Sequence, residues 1–409
     1  MKSKKEVFLG LGILVVLIAA VVGIKMYTDN KKTGDSGLSI LETRKLANAK
    51  QVYVATGGGK ENFIADEEVN KIMLNKYNLN ITYDTWSNGK TVLWPLIRES
   101  VGKGDSNIAN ALSKDHFAYS VTSSGVSKYD ALFTSDQRFY DYFKVSPAQG
   151  EAARERVLNG GLTLNTPIVI YSWDTVVDAL IKEKIVTEKN GTYYITDMNK
   201  LIKYILEGKK WSDIGLDMLY GSINIDSTDP VTSSPGATYY GLLLSIMCGG
   251  TVTDKNFEDN LKNLKEFYVK SGYMNNTPAD LFELYLKTGM GGKPMIVDYE
   301  KSSIDFANSN PDGWNQVKDK IRILYPTPTI WNSHCIATFN ETGDEFHKAF
   351  EDKEIGQIAW TKYGFRTGVT GGNYDVSAVN ISGIPQSIDS TVSSLKMAYY
   401  DKMIEYLGK

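Results

Sequence analysis

The feature that most constrains this 409-residue chain is an uncharged apolar run near its N-terminus. The run covers residues 7–24 and follows three lysines within the first six residues. A membrane-spanning helix needs about 20 apolar residues, and basic residues ahead of such a run favour a cytoplasmic N-terminus. We therefore predict a single uncleaved transmembrane helix over residues 1–27, with the remaining chain outside the cell at the membrane surface. A cleaved signal peptide is the alternative, although its apolar core is usually about 7–15 residues.

Net charge, cysteine content and histidine content limit the function classes that remain for the rest of the chain. Residues 28–45 are predicted to form a polar linker. The net charge is −3 and no Lys/Arg-rich tract follows the N-terminus, which excludes a nucleic-acid partner. The two cysteines, Cys248 and Cys335, form no CxxC motif, and a disulfide between them stays open. The three histidines form no metal-binding pattern and are interpreted as surface or packed side chains. We predict no metal and no cofactor.

Short β-rich runs alternate with amphipathic helical stretches throughout the body. The clearest unit has a strand at residues 51–56, a glycine-rich turn, a helix opened by Asp66 and a strand at residues 79–83. Acidic residues in the first turn suit the dipole of that helix. This alternation predicts an α/β fold in which mainly parallel sheets are flanked by helices.

The pattern continues beyond this unit. A strong strand is predicted at residues 167–171, and an Asn190-Gly191 pair predicts a hairpin turn. Further strands are predicted at residues 293–298, 321–325 and 336–339, and helices at 175–184, 197–207, 237–247 and 399–406.

The first candidate binding site is the turn Gly57-Gly58-Gly59-Lys60. Glycines between a strand and a helix let backbone N–H groups approach a ligand closely, and Lys60 adds a positive charge. Gly58, Gly59 and Lys60 are therefore predicted to contact a ligand. A purely structural tight turn is the alternative.

The second candidate site is a hydroxyl-rich loop that ends at a helix, over residues 226–236. Small hydroxyls and the first N–H groups of a helix suit an oxyanion or carboxylate. Asp229, Ser233, Ser234 and Gly236 are predicted ligand contacts. The alternative is a helix cap, in which Ser234 caps the helix and Pro235 lies in its first turn.

Two weaker candidates complete the predicted binding site. Ser123 and Ser124 belong to another hydroxyl-rich turn, for which a surface loop is the alternative. Ser172 and Trp173 follow the strand at residues 167–171, at the edge where ligands collect in open α/β sheets. Trp173 could stack on a ligand or simply pack in the core.

No catalytic motif is present in the sequence. There is no GxSxG nucleophile elbow, and no serine or cysteine is placed by the sequence beside a histidine and an acid. The carboxylates are scattered and suggest no glycosidase pair. We therefore predict that the chain is not an enzyme.

Four short motifs resemble those of bacterial extracellular solute-binding proteins with a type II periplasmic-binding fold. Residues 229–236 are similar to the ligand loop and helix start of molybdate- and sulfate-type binding proteins. Residues 297–300 are similar to a strand that ends in a tyrosine near the hinge, and residues 363–366 to a Gly-Phe-Arg run near the C-terminus. Residues 57–69 are similar to a membrane-anchored subgroup linked to toxic-anion (tellurium) resistance loci.

The resemblance implies two lobes on either side of a ligand cleft. Residues 46–166 and 326–409 would form the first lobe and residues 167–325 the second, with Tyr299 at the ligand. The expected function is capture of a small polar, anionic solute and its transfer to a membrane partner such as an ABC-type permease. A cell-surface structural or interaction protein with the same fold and no ligand is the alternative, and an exported hydrolase is a third.

Overall fold

The computed structural model describes most of the chain beyond the N-terminal segment. The described residues are 45–86, 129–138, 140–141, 159–274, 277–368 and 375–409. Residues 49–409 form one compact unit, which carries every feature described below. The predicted membrane anchor lies outside the described residues. Within them, no helix combines the length and the apolar character needed to cross a bilayer.

The strands and helices predicted from the sequence are present, most with bounds shifted by a few residues. The strands are β1 (Lys50–Gly57), β2 (Leu79–Trp86), β3 (Ala131–Phe133), β4 (Gly160–Trp173), β5 (Val186–Lys189), β6 (Thr192–Ile195), β7 (Met295–Tyr299), β8 (Ile321–Pro326), β9 (Thr329–Thr338), β10 (Arg366–Thr367) and β11 (Thr391–Val392). The α-helices are α1 (Glu61–Ile64), α2 (Glu67–Tyr77), α3 (Asp174–Lys182), α4 (Met198–Leu206), α5 (Ser234–Met247), α6 (Asp254–Ser271), α7 (Pro278–Gly292), α8 (Lys301–Ser309), α9 (Pro311–Val317), α10 (Glu341–Ala349), α11 (Lys353–Tyr363) and α12 (Met397–Gly408).

The first β-α-β unit forms for reasons that are visible in its sequence. Val52 and Val54 are fully buried while Tyr53 between them is exposed, so β1 has one core face. The Asp66 carboxylate accepts hydrogen bonds from the first N–H groups of α2, at 2.8 Å and 3.0 Å, which caps the helix. Asn78 ends α2 in the left-handed conformation, with φ 56°. The chain then enters β2, which pairs with β1 in parallel.

The sheet is mixed, so the prediction of mainly parallel sheets is wrong. Strand β1 pairs in parallel with β2 and β3, and β6 pairs in parallel with β8. In contrast, β4 runs antiparallel to β7, β8 and β9, and β3 runs antiparallel to β9. The order along the main path is β2-β1-β3-β9-β4-β8-β6-β5. Alternation of strands and helices indicates crossover connections, but it does not reveal how the long central strands pair.

Strand β4 is common to the two halves of the sheet. Its first half, from Gly160 to Pro167, pairs with β9, and its second half, from Ile168 to Trp173, pairs with β7 and β8. The chain also passes from β8 to β9 through Thr327 and Pro328. These two segments link the two halves of the fold.

The two halves have separate hydrophobic cores. The smaller core packs β1, β3 and β9 against α2, α10 and α11, and includes Val54, Phe133 and Phe350. The larger core surrounds α5, which is buried at every residue from Ser234 to Ile246, as expected for a central helix that is apolar all round. The sequence-based boundary placed residues 326–409 in the first lobe, whereas buried residues between 379 and 407 pack in the larger core.

The two cysteines do not form a disulfide with each other. Cys248 ends α5, where its sulfur lies 3.6 Å from the carbonyl oxygen of Asn256. Cys335 is buried within β9. The sequence left a disulfide between these cysteines open, and the structure shows two separate thiols.

Candidate functional site

A cavity of about 1230 Å³ lies between residues of the smaller core and residues of the larger core. From the first side it is lined by Gly58, Gly59, Ser135, Asn332 and His334, and from the second by Thr232, Ser233, Ser234, Pro235 and Tyr299, among others. The glycine turn and the start of α5, which the sequence proposed as separate candidates, therefore line the same cavity. Such a volume is large enough for a small organic solute or a hydrated ion.

The three glycines at the end of β1 differ in how strictly the structure requires glycine. A Cβ at Gly57 would lie 2.2 Å from Ser135 Oγ and 2.8 Å from the Ser135 backbone nitrogen, so this position admits no side chain. Gly59 has φ +85°, which an L-residue rarely adopts. At Gly58 a Cβ would meet only Glu61 Oε1, at 3.6 Å. The fold therefore requires glycine at positions 57 and 59. At position 58 the fold would accept a side chain, so any requirement for glycine there would come from the cavity that it lines.

This contrast predicts different outcomes for alanine at neighbouring positions. Gly57→Ala should lower the free energy of unfolding by about 1–3 kcal/mol, because the new methyl group overlaps Ser135. Gly58→Ala should stay within about 0.5 kcal/mol of the parent. Urea denaturation of the two variants measures the difference. Equal loss at both positions would show that the whole turn is structural and would contradict a cavity role for Gly58.

Lys60 lies behind the cavity wall rather than in it. Its side chain is 1% exposed, and its Nζ lies 3.3 Å from Nδ1 of His334 and 4.9 Å from the centre of the Phe133 ring. Burial lowers the pKa of Lys60 to about 7, Glu61 opposes this shift, and Lys301 adds to it. The prediction that Lys60 presents a charge directly to a ligand is not supported by this placement.

Two cavity residues on β9 were not predicted from the sequence. Asn332 and His334 are 1% and 2% exposed, and both line the cavity. Asn332 Nδ2 donates to the Ser135 carbonyl oxygen at 2.9 Å and lies 3.2 Å from His334 Nε2. Within the described residues, Asn332 Oδ1 is buried without a hydrogen-bond partner. Buried polar groups are normally satisfied, but this oxygen has almost no accessible surface, so it is not itself a contact point of the cavity.

The start of α5 differs from the predicted cap. The first helical residue is Ser234, with Pro235 following it in the first turn, and the residue in the N-cap position is Ser233. The prediction that Ser234 caps the helix is therefore wrong, because Ser234 is already the first residue of the helix. Ser233 is extended, with φ −126° and ψ 132°, and its side chain makes no capping hydrogen bond. Both serines line the cavity and are less than a tenth exposed.

Asp229 and Gly236 support the shape of this loop and do not line the cavity. Asp229 Oδ1 accepts a hydrogen bond from the Val231 backbone at 2.9 Å. A Cβ at Gly236 would lie 2.2 Å from the Thr228 carbonyl oxygen, so the loop packs directly on the helix at this glycine. Contacts within the loop and with the helix therefore explain why these two positions carry aspartate and glycine.

The remaining candidates divide between the cavity, the core and the undescribed part of the chain. Ser172 Oγ and Trp173 Nε1 each donate at 2.9 Å to backbone carbonyls just before β7, and the Trp173 ring packs 4.8 Å from Tyr285. These two residues are structural here and are not among the cavity lining. Tyr299 does line the cavity. Ser123 and Ser124 lie outside the described residues.

Charged side chains on the cavity wall are largely paired with each other. Lys287 lies 2.5 Å from Glu283, and Lys301 lies 3.6 Å from Asp305, in both cases one helical turn away. Hydroxyl, amide and imidazole groups therefore supply most of the remaining polar surface in the described part of the wall. Such a wall favours a ligand recognised by hydrogen bonds over one recognised by a single strong charge.

Two solved structures described as binding proteins share this architecture. A protein described as an extracellular solute-binding protein from Bordetella parapertussis matches with a TM-score of 0.52 and 13% identity, over 87% of this chain and 96% of that chain. The apo ferric ion-binding protein A of Pasteurella haemolytica matches with a TM-score of 0.52 and 10% identity, over 88% of this chain and 97% of that chain. No protein-family model and no curated protein matches this chain. At these identities the likeness shows the fold alone, an α/β fold with a mixed sheet and flanking helices that this chain shares with those two binding proteins.

Proposed function

We propose that this chain is an extracytoplasmic solute-binding protein that captures a small polar solute between its two cores. The observation that carries the proposal is the shared cavity, in which the glycine turn after β1 faces the start of α5. In this proposal the two cores are the two lobes expected from the sequence, with residues 379–409 as part of the second. Capture between two lobes requires a change in their separation, which is a hinge motion.

An anionic solute is the finer part of the proposal. Two serine hydroxyls stand at the N-terminal end of α5, a 14-residue helix whose dipole favours negative charge there. The described lysines of the wall, Lys287 and Lys301, each lie beside a carboxylate one helical turn away, so selectivity for an anion would come mainly from hydrogen-bond donors. The resemblance of residues 57–69 to the subgroup linked to toxic-anion resistance supports the same class of ligand.

The membrane anchor and the membrane partner belong to the same proposal. Residues 1–27 would hold the body outside the cell, where it would deliver its solute to an ABC-type permease or another membrane protein. Protease treatment of intact cells tests this orientation, because it should remove the body while the N-terminal segment stays in the membrane. Recovery of the body from the culture medium would instead indicate a cleaved signal peptide.

The binding function is tested by a search for a stabilising solute. A ligand that binds only the folded state raises the unfolding free energy, by about 2.7 kcal/mol at a hundred times its Kd. The full chain is therefore heated in the presence of oxyanions, amino acids and sugars in turn. A rise in Tm with one class identifies the ligand class, and no rise with any of them favours the alternative of a structural protein without a ligand.

Ser233 offers a prediction that separates binding from stability. Ser233→Ala removes a cavity hydroxyl that makes no capping bond, so the Tm of the variant without ligand should match that of the parent. Loss of a hydrogen bond to a charged ligand weakens binding by about 1.5–3 kcal/mol, or roughly tenfold to a hundredfold. Calorimetric titration with the solute found above measures this loss.

The matched control is a cap residue away from the cavity. The Asp197 carboxylate accepts from the Lys200 backbone at 2.9 Å and caps α4. Asp197→Ala should lower the unfolding free energy by about 0.5–2 kcal/mol and leave binding unchanged. If Ser233→Ala binds the solute as tightly as the parent does, the start of α5 is not part of the site.

A further inference from the structure

The cavity wall formed by the larger core differs from one helix to the next. Near the start of α5 it carries the serine hydroxyls described above. Along α7, α8 and α9 it carries four apolar side chains, which are Phe282, Leu286, Phe306 and Val317. Phe282 is 4% exposed, whereas the other three are half-buried and pack on the larger core with only part of their surface. The same cavity therefore has a polar part and an apolar part.

The sequences of α7 and α8 place these apolar side chains together. Phe282 and Leu286 are four residues apart on α7, so they lie on the same face of the helix. The Phe306 ring of α8 packs edge-on against Phe282, with ring centres 5.9 Å apart. Glu283 and Lys287, which follow them in sequence, form an exposed ion pair at 2.5 Å. These two charges satisfy each other at the solvent side, and the apolar face of α7 is left to the cavity.

Tyr171 connects the apolar part of the wall to the polar part. Its ring packs edge-on against Phe282 at 5.0 Å, and its hydroxyl donates to the Tyr299 carbonyl oxygen at 2.8 Å. Tyr299 ends β7 and lines the cavity, and β7 contacts α5, whose first residues carry the cavity hydroxyls. The two parts of the wall are therefore neighbours, and one elongated solute can contact both.

The smaller core supplies aromatic side chains beside α8. Asn308 on α8 donates to the carbonyl oxygens of Thr361 and Lys362 at 2.8 Å and 2.9 Å, which holds the end of α11 next to α8. Tyr363, the last residue of α11, lines the cavity, and its ring packs edge-on against Phe63 at 5.6 Å. A chain that lies along α8 would therefore meet aromatic surface from the smaller core as well.

The size of the cavity also favours a solute with an apolar part. Pockets that hold organic ligands have volumes of about 300–1,000 Å³, and the volume here is about 1230 Å³. An inorganic oxyanion at the start of α5 would leave the apolar wall in contact with water. Ligand pockets are lined mostly by apolar side chains, with a few polar groups that orient the ligand. The wall of this cavity has the same division.

We propose that the solute is an amphiphilic organic anion, with its head group at the serine hydroxyls of α5 and its apolar chain along α7 and α8. This ligand class rests on the proposed function, because it requires that a solute binds in the cavity. The head group accepts a hydrogen bond from Ser233, and the chain packs on Leu286, Phe306 and Val317. Each methylene group that leaves water strengthens binding by about fourfold.

Straight-chain carboxylates of increasing length test this ligand class. Acetate, butyrate and hexanoate carry the same head group and the same charge at neutral pH, and each step in the series adds two methylene groups. Calorimetric titration of the full chain should show an affinity that rises by about fifteenfold at each step. Equal affinity for all three would overturn the proposal, because only the head group would then be bound.

Two substitutions of leucine by asparagine locate the apolar chain. Leu286 and Leu206 are both half-buried on the larger core, and of the two Leu286 lines the cavity. Leu286→Asn should cut the gain from butyrate to hexanoate from about fifteenfold to about fourfold, whereas Leu206→Asn should leave it unchanged. Val317→Thr keeps the side-chain shape and should weaken hexanoate by about twofold to fourfold, even if Leu286→Asn does not fold. An unchanged gain in both cavity variants would overturn the placement of the chain.

Further outcomes separate the ligand class from the function on which it rests. If Leu286→Asn weakens butyrate and hexanoate equally, the apolar wall contacts the smaller core and not the chain, and the amphiphilic ligand is wrong. If sulfate, an amino acid or a sugar binds but chain length adds nothing, the amphiphilic ligand is wrong while the proposed function stands. If neither these solutes nor any carboxylate of the series binds, the proposed function fails as well.

Discussion

Glu300→Gln should lower the free energy of unfolding by about 3–5 kcal/mol, because it breaks a buried ion pair without changing side-chain size. Glu300 is fully buried after β7, and its two carboxylate oxygens accept from Arg366 Nε at 2.7 Å and Nη2 at 2.9 Å. Tyr325 donates to the same carboxylate at 2.7 Å. These contacts join β7, β8 and β10 close to the point where β4 passes between the cores. Urea denaturation of the variant measures the loss.

Two further variants make the origin of this loss clear. The double variant Glu300→Met with Arg366→Leu removes both charges and should recover most of the stability, since a buried pair is often replaceable by apolar side chains. Glu207→Gln breaks an exposed pair with Lys203 at 3.7 Å, and it should cost no more than about 0.5 kcal/mol. A Glu300→Gln variant as stable as Glu207→Gln would show that the buried pair does not hold this junction.

Arg138→Met should cause a loss of similar size, about 3–5 kcal/mol, at a second buried ion pair. Arg138 Nε lies 2.9 Å from Asp136 Oδ1, and both residues are less than a twentieth exposed. Its Nη2 also donates to Thr238 on α5 at 3.1 Å, and its guanidinium lies 4.2 Å from the Tyr400 ring on α12. Burial opposes its charge, but Asp136 beside it raises the pKa of Arg138 above its ordinary value. The variant would leave Asp136 buried without this cation.

Hydrogen exchange distinguishes this effect from a general loss of packing. Because Arg138 contacts α5 and α12 together, Arg138→Met should speed amide exchange in α12 beyond the change expected from global stability alone. Arg322→Met is the matched control, since Arg322 also lies over a tyrosine ring, at 5.7 Å, but donates to backbone carbonyls. An Arg138 variant no less stable than the Arg322 variant would contradict the account.

Local sequence patterns predicted the elements of this fold better than their pairing. The unit from β1 to β2 was predictable because alternating valines, an Asp66 cap and a glycine turn each act over a few residues. Strand β4 was predicted only over its apolar second half, since its first half contains Gly160, Gly161 and polar residues. Its antiparallel partners are distant in sequence, so no local pattern indicates them.

The candidate site was predictable on one side of the cavity and missed on the other. The glycine turn and the serines at α5 carry recognisable signals for close backbone approach and helix starts. Asn332 and His334 were missed because they lie in the part of β9 that precedes the strand predicted at residues 336–339. The polar run at residues 332–334 was therefore assigned to no element, although both side chains are buried at the cavity.

At the start of α5, a shift of the N-cap by one residue changes which serine is expected to contact a ligand. Both Ser233 and Ser234 are suitable N-cap residues, and Pro235 is acceptable at either of the first two helical positions. The sequence therefore could not decide which serine begins the helix. The structure assigns the extended position to Ser233 and leaves its side chain without a capping bond, which makes it available to the cavity.

The central claim is that a small solute binds in the cavity between the two cores. Hydrogen exchange of the full chain, with and without the solute found by thermal shift, tests it most directly. We expect slower exchange at two separate places at once, the turn at residues 58–59 and the amides of residues 232–234 at the start of α5. Protection confined to one of them, or found only at a surface far from both, would contradict it.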